Sequence, residues 1–258
     1  MGSKLTKRQK SQVRVNFDAF KGLDDVCPQQ ELELRREFAA DAFEKGDARN
    51  FVDAAPLHNL GLTLVFDNMS LLAEKGMLPE ALAQALTGPQ VQSHYPWSAA
   101  VEEMMLRQCQ QQCGIEALRD AGEPFDYSNP DRVLTVYRGV AGTSRQRKVH
   151  GVSWTTSLDA ACWFALRREF LGLCDPAVYA AETRVSEIFY YDNDAAGKIV
   201  VVRPKDFRRL ELSVEEMRER SAEHAKVEKA AAAAALKTLL PTLMKRVPSC
   251  KPSIKAGK

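Results

Sequence analysis

The sequence predicts an α+β fold with a helical N-terminal half, then a run of strands, then a long C-terminal helix. Three observations predict it. Apolar residues recur at helical spacing in segments up to Cys113. From Val133 the period changes to two, with Leu134, Val136 and Arg138 alternating with Thr135 and Tyr137. Ser213 with Glu216 three positions on makes a capping box that opens a charged, alanine-rich helix. Strands that do not alternate strictly with helices point to an antiparallel or mixed sheet.

Taken in order, residues 1–15 read as a basic, disordered end and residues 16–130 as the helical region. Glu31–Lys45 is an amphipathic helix with Leu34, Phe38 and Ala42 as its apolar stripe, Leu32 and Phe43 at the stripe's edge, and Gly46 as its stop. Leu60–Ala73 is a more buried helix through Leu62, Val65, Phe66, Met69 and Leu72, ended by Gly76. Pro79 opens a short helix, Glu80–Leu86, and Thr87–Pro96 is a loop by its Gly, Pro and Ser content. Ser98 caps a helix that runs to Cys113 and stops at Gly114, and its Val101, Met105 and Leu106 stripe reads as core. A turn-rich linker, Gly122–Pro130, leads into residues 131–212, where the strands lie. These are the strand ending at Arg138, the segment around Trp154, Val178–Val185, Glu187–Asp192, Lys198–Arg203 and a short edge at Leu210–Leu212. A helix over Leu158–Leu171 follows the Trp154 segment. Residues 213–240 form the closing helix, ended by Pro241, and 241–258 a basic tail.

At 258 residues, with 45% hydrophobic and 27% charged residues, the chain belongs among ordinary globular proteins able to bury one sizeable core or two small ones. Its net charge of +2 is unevenly spread. Lys4, Lys7, Arg8, Lys10 and Arg14 at one end, and Lys245, Arg246, Lys251, Lys255 and Lys258 at the other, stand among no acids; removing those ten charges leaves −8 on the body. Such ends suit nucleic acid or an acidic partner, and they read first as solvated tails. Cys27, Cys109, Cys113, Cys162, Cys174 and Cys250 lack the spacing of a disulfide framework, which favours reduced thiols and a cytoplasmic setting. No CxxC or paired histidine joins Cys109 and Cys113, so no metal site is expected. The start is basic and polar rather than a leader, no run reaches membrane-spanning length, and no membrane partner is expected. His58, His94, His150 and His224 are scattered, and there is no Walker loop and no GxGxxG.

One stretch concentrates chemistry. Arg138 brings a planar five-donor fork suited to a phosphate or carboxylate, and Gly139 lets the backbone lie close to a flat ring. Ser153, Thr155, Thr156 and Ser157 then bring hydroxyls around Trp154; Ser157 alternatively caps the following helix. The basic loop Arg145, Arg147 and Lys148 lies between.

The run YRG, then SWT, then a helix with Trp163, Phe164 and Ala165 resembles the first half of the ADP-ribosyltransferase fold, in its arginine–serine–glutamate branch of phage and toxin proteins. The resemblance spans Val133 to Leu212. It implies a split β-sandwich, NAD as substrate, a phage or mobile-element origin, and either transfer of ADP-ribose to a macromolecular acceptor, a protein sooner than a nucleic acid, or hydrolysis of NAD. It further implies that Arg138 anchors NAD, that Ser153 and Thr155 brace the arginine and the ribose, and that Gly139 meets the carboxamide of nicotinamide through its backbone. Tyr190 or Tyr191 would stack on nicotinamide or on the acceptor.

Breaking the N-glycosidic bond of NAD builds positive charge at the ribose C1′, which a carboxylate stabilises. The family carries a glutamate for this at the start of the strand corresponding to Lys198–Arg203, and here that run has no acid, with Lys198 at the expected position. Two charges about 4 Å apart at an effective dielectric near 20 interact by roughly 4 kcal/mol, so a cation there works against the reaction. Asp192 or Asp194, in the preceding turn, is the replacement acid; Glu187 is farther away. One alternative reading is an inactive protein of the same fold that binds a protein or nucleic acid; another is a helical interaction module with a small sheet, the resemblance being accidental.

Overall fold

The computed structural model describes residues 14–23, 27–57, 60–87, 99–121, 125–143, 147, 149–167, 172–192, 198–227 and 229–230. Both basic ends (Arg14 apart), the Thr87–Pro96 loop beyond Thr87, Ser98, Arg145, Lys148 and Asp194 lie outside the described residues.

Helix α1 spans Gln29–Lys45 and ends on Gly46, whose φ of 71° is the left-handed conformation that closes a helix. Its buried face is Leu32, Ala39, Ala40, Ala42 and Phe43. The expected stripe is right in part: Ala42 and the edge residues Leu32 and Phe43 are buried, whereas Leu34 is 66% and Phe38 45% exposed. The helix turns toward α2, Ala48–Asp53, an element the sequence did not announce, capped by Asp47 accepting from the Asn50 N–H at 2.9 Å.

The single helix expected over Leu60–Ala73 is two, α3 (Gly61–Asp67) and α4 (Met69–Glu74). The break is Asn68, which is 4% exposed. Its amide donates to the carbonyls of Leu64 and Asn16, both at 2.9 Å, and its oxygen accepts from the Asn16 N–H at 2.7 Å. A buried asparagine that serves the backbone of another segment interrupts the helical ladder. Helix α5 covers Leu78–Thr87, α6 Ala99–Cys113, and α7, also unannounced, Ile115–Asp120 after Gly114. On α6, Leu106 is fully buried but Val101 is 38% exposed, so only part of its expected stripe is core.

The strands are β1 (Val133–Val140), β2 (Ser153–Thr155), β3 (Ala177–Arg184), β4 (Tyr190–Asp192), β5 (Ile199–Val201) and β6 (Arg208–Arg209). They form one antiparallel six-stranded sheet in the order β4-β5-β2-β1-β3-β6. β1 runs two residues past Arg138, so that arginine does not end its strand. A 3-10 turn, Val185–Glu187, occupies the start of the expected Glu187–Asp192 strand, and the outer edge is Arg208–Arg209 rather than Leu210–Leu212. Helix α8 spans Leu158–Leu166 and α9 is helical over residues 214–227; residues 168–171 and 231–240 of the helices expected there lie outside the described residues. The Ser213–Glu216 capping box is formed, with both Ser213 N–H and Oγ donating to Glu216 at 2.8 and 3.0 Å.

The two faces of the sheet have different covers, which follows from strand alternation. Val136, Trp154, Tyr191, Val200 and Ala181 share one core with Phe125, Tyr127 and Phe207. On the other face, α8 and Met217 of α9 cover Val178 and Tyr137. Next to them the N-terminal helices cover Tyr190, Val201 and Ile199. The helical half thus shares its core with β4 and β5. Arg119 of α7 reaches the carbonyls of Val185 and Ile188 at 3.4 Å, and Arg203 forms an ion pair with Glu103 of α6. No helix among the described residues is long and apolar enough to cross a membrane.

Candidate functional site

The strands that carry the singled-out residues are neighbours. β1 pairs with β2 at Tyr137 and Thr155, and β2 pairs with β5 at Thr155 and Ile199. That single register pair joins β1 to β2, whereas β1 and β3 share eight. The Thr156 N–H donates to Lys198 and the Val202 N–H to Val152, so the backbone groups of residues 152, 154 and 156 turn to β5 and those of Ser153 and Thr155 turn to β1. Tyr137 faces Thr155, and by the same alternation the N–H and C=O of Gly139 also point to the β2 side. Gly139 stands beyond the last register pair, where the two strands part.

Arg138 closes that opening. Its Nη1 donates to the carbonyl oxygen of Ser153, a group that a continuous ladder would give to Gly139. The guanidinium lies against Gly151: a Cβ there would meet Nη2 at 2.2 Å and Cζ at 2.5 Å. Gly151 is held in turn by Trp154, whose Nε1 donates to its carbonyl at 2.8 Å. Arg138 is half-buried.

Gly139 has a second duty. A Cβ on it would meet the Ala161 carbonyl oxygen at 1.9 Å and the Ala165 nitrogen at 2.6 Å, so α8 rests directly on its Cα. The expectation that this bare Cα lies against a ligand ring is corrected: the helix takes that face, and only the edge of the peptide faces the opening. Sequence reading missed Gly151, although a glycine just before the hydroxyl-bearing strand was there to be seen.

The hydroxyls are arranged differently from the arginine. Ser153 is 5% and Thr155 2% exposed, and alternation directs their side chains to the face opposite Arg138. What Ser153 gives Arg138 is its carbonyl. Thr155 Oγ1 accepts from the Ser157 N–H at 3.0 Å, and Ser157 caps α8 by accepting from the Ala160 N–H at 3.2 Å.

Asp192 is 8% exposed and pairs with Ile199, which pairs with Thr155, so it too belongs to the face away from Arg138. Tyr191 shares Arg138's face but stands three strands away, roughly 14 Å at ordinary strand spacing. Its ring is packed on Phe125 with centroids 4.4 Å apart, and burial raises its phenol above the ordinary value. Tyr190 is 3% exposed, in the core against the helices. Lys198 is exposed just before β5 and has φ 47°, a left-handed conformation uncommon outside glycine.

Other candidates resolve into structure. Arg147 donates to the Gly142 carbonyl at 2.9 Å and pairs with Asp175, fastening its loop to the start of β3. Burial pushes the Cys109 thiol up to about 12 and the Cys162 thiol to about 11, so neither is a ready thiolate. Among the described residues no three of His, Cys, Asp and Glu gather as metal ligands. A groove of about 680 Å3 runs along the outer side of β3, and Arg138 is not among its lining residues. Its acids Glu182, Glu187 and Asp206 match its bases Arg184, Lys205 and Arg208, which leaves no net pull on a polyanion.

Comparison of the chain with protein-family models, with curated proteins and with solved structures finds no match.

Proposed function

We propose that this chain is an ADP-ribosyltransferase-like protein that takes NAD where β1 and β2 part, and transfers ADP-ribose to a macromolecular acceptor. The observation that carries the reading is the guanidinium of Arg138 seated on the Ser153 carbonyl and against Gly151, beside Gly139, whose N–H and C=O point to the β2 side. On this reading the parting of β1 and β2 would serve as the cleft for the dinucleotide. Arg138 would hold the diphosphate through charge-assisted hydrogen bonds. Gly139 would take the nicotinamide carboxamide with its N–H and C=O, as donor and acceptor in one plane. The C1′–nitrogen bond then breaks with its electron pair leaving on nicotinamide, and an acceptor nucleophile bonds to C1′. Asp194, which follows β4 in the sequence, is the candidate acid for the charge at C1′; Asp192 is the weaker candidate because its strand turns it to the other face.

A second reading, an NAD-binding protein of this kind without turnover, is favoured by Lys198 at the head of β5, where a cation opposes an oxocarbenium ion. Nicotinamide release and calorimetric NAD binding separate the two. The first reading expects release by the native protein, lost in Arg138→Ala and Asp194→Ala, with binding kept only in the latter. Saturable binding without release, abolished by Arg138→Ala, selects the second. Absence of NAD binding in the native protein removes both.

A further inference from the structure

Phe207 lies on the same face of the sheet as Arg138, and no role has been assigned to it. Its ring is 6.1 Å from that of Trp154 on β2 and 5.8 Å from that of Tyr179, the residue paired with Arg138 on β3. It also packs with Val140 and Val149. The ring therefore sits over β1 between its two neighbours, next to the arginine. His150 meets it edge-on with centroids 4.9 Å apart. His150 is exposed and immediately precedes Gly151, the residue against which the Arg138 guanidinium rests.

A planar cation, an exposed imidazole one residue from its support, and an aromatic ring beside both form a recognisable set. The first two suit adjacent phosphates, and the third suits a flat base. The same ring forms part of the wall of the 680 Å3 groove, which gives a base room beside it.

We infer that His150 and Phe207 bind the adenosine-diphosphate half of NAD: the imidazole donates to the diphosphate beside Arg138, and adenine lies on the Phe207 ring. The inference rests on the NAD reading above and deepens it, since it makes the adenosine half a major source of affinity. Phe207 belongs to two cores, so Phe207→Leu, which keeps apolar bulk, is the variant of choice, with circular dichroism as the check on folding.

The test is calorimetric binding of ADP-ribose and of nicotinamide mononucleotide, which lacks adenosine, to the native protein, Phe207→Leu, His150→Gln and Arg138→Ala. Phe207→Leu should weaken ADP-ribose about tenfold and leave nicotinamide mononucleotide within about twofold. His150→Gln should weaken ADP-ribose about tenfold as well. If Arg138→Ala loses NAD while both other variants bind ADP-ribose as the native protein does, the inference fails and the NAD reading stands. Equal losses of both ligands in Phe207→Leu overturn it too, because they report a general disturbance of the site. A native protein that binds neither NAD nor ADP-ribose removes the inference together with the reading beneath it.

Discussion

Gly139 and Gly151 both border the opening, and their missing side chains do different things. At Gly139 the space is filled by the backbone of α8, which cannot move without lifting the helix. At Gly151 it is filled by the far end of Arg138, which can swing away. Gly139→Ala should therefore cost about 3 kcal/mol or more in stability, read by chemical denaturation. Gly151→Ala should keep the fold within about 1 kcal/mol while displacing the guanidinium from Ser153. On the NAD reading the displaced guanidinium gives up a charge-assisted hydrogen bond to the diphosphate of about 1.5–3 kcal/mol, which predicts a tenfold to hundredfold weaker NAD affinity. A Gly151→Ala protein that binds NAD as tightly as the native one would take Arg138 out of the site. None of this is legible from residue types alone, because Gly139 and Ala161, or Gly151 and Arg138, meet only after the strands have paired.

At the scale of elements, the errors of sequence reading share one cause. Local punctuation was legible: Gly46 and Gly114 end or separate helices, Ser157 and Ser213 start them, and the alternation from Val133 is a strand. The faces were not. Leu34 and Phe38 keep helical spacing but lie off the buried side of α1, because Ala39, Ala40 and Phe43 are what α2 and its neighbours meet. The break between α3 and α4 comes from Asn68 serving Asn16, fifty-two residues earlier in the chain. Asn68→Ala leaves the Asn16 N–H and the carbonyls of Asn16 and Leu64 without those partners. A loss of about 2 kcal/mol is expected, with faster amide exchange at Asn16 than anywhere in β3. Unchanged exchange at Asn16 would show that the link contributes nothing.

For the whole molecule, the joint between the helical half and the sheet decides how the two respond to acid. Glu103 on α6 is the charged contact to Arg203 just beyond β5, and it also receives Arg107 at 2.7 Å. Partial burial pushes its carboxyl up, but hydrogen bonds from Arg203 and Arg107 outweigh this and hold it below its ordinary 4.5. A depressed carboxyl stabilises the fold above its unfolded value and loses that contribution as pH falls through the folded one. Stability should thus decline from near pH 4.5 downward, and Glu103→Gln should be about 1 kcal/mol less stable at pH 7 with a shallower acid slope. An acid slope identical to the native one would assign the acid sensitivity to other carboxylates.

The sequence by itself determined the class of the fold, the change from helices to strands near Val133, and several of the caps that start and stop the helices. Each of these depends on residues within a turn or two of one another, where backbone sterics and hydrogen bonding act directly. Tertiary structure alone decided that β5, β2 and β1 lie side by side and that β1 and β2 part beyond Tyr137. It also decided that Arg138 shares a face of the sheet with Phe207, on which His150 packs, while Ser153, Thr155 and Asp192 turn the other way. Those outcomes depend on strand order and register, set by which apolar faces are buried together across the whole chain. A pattern of alternation says that a residue has a face; only the register and the covering helices say which one.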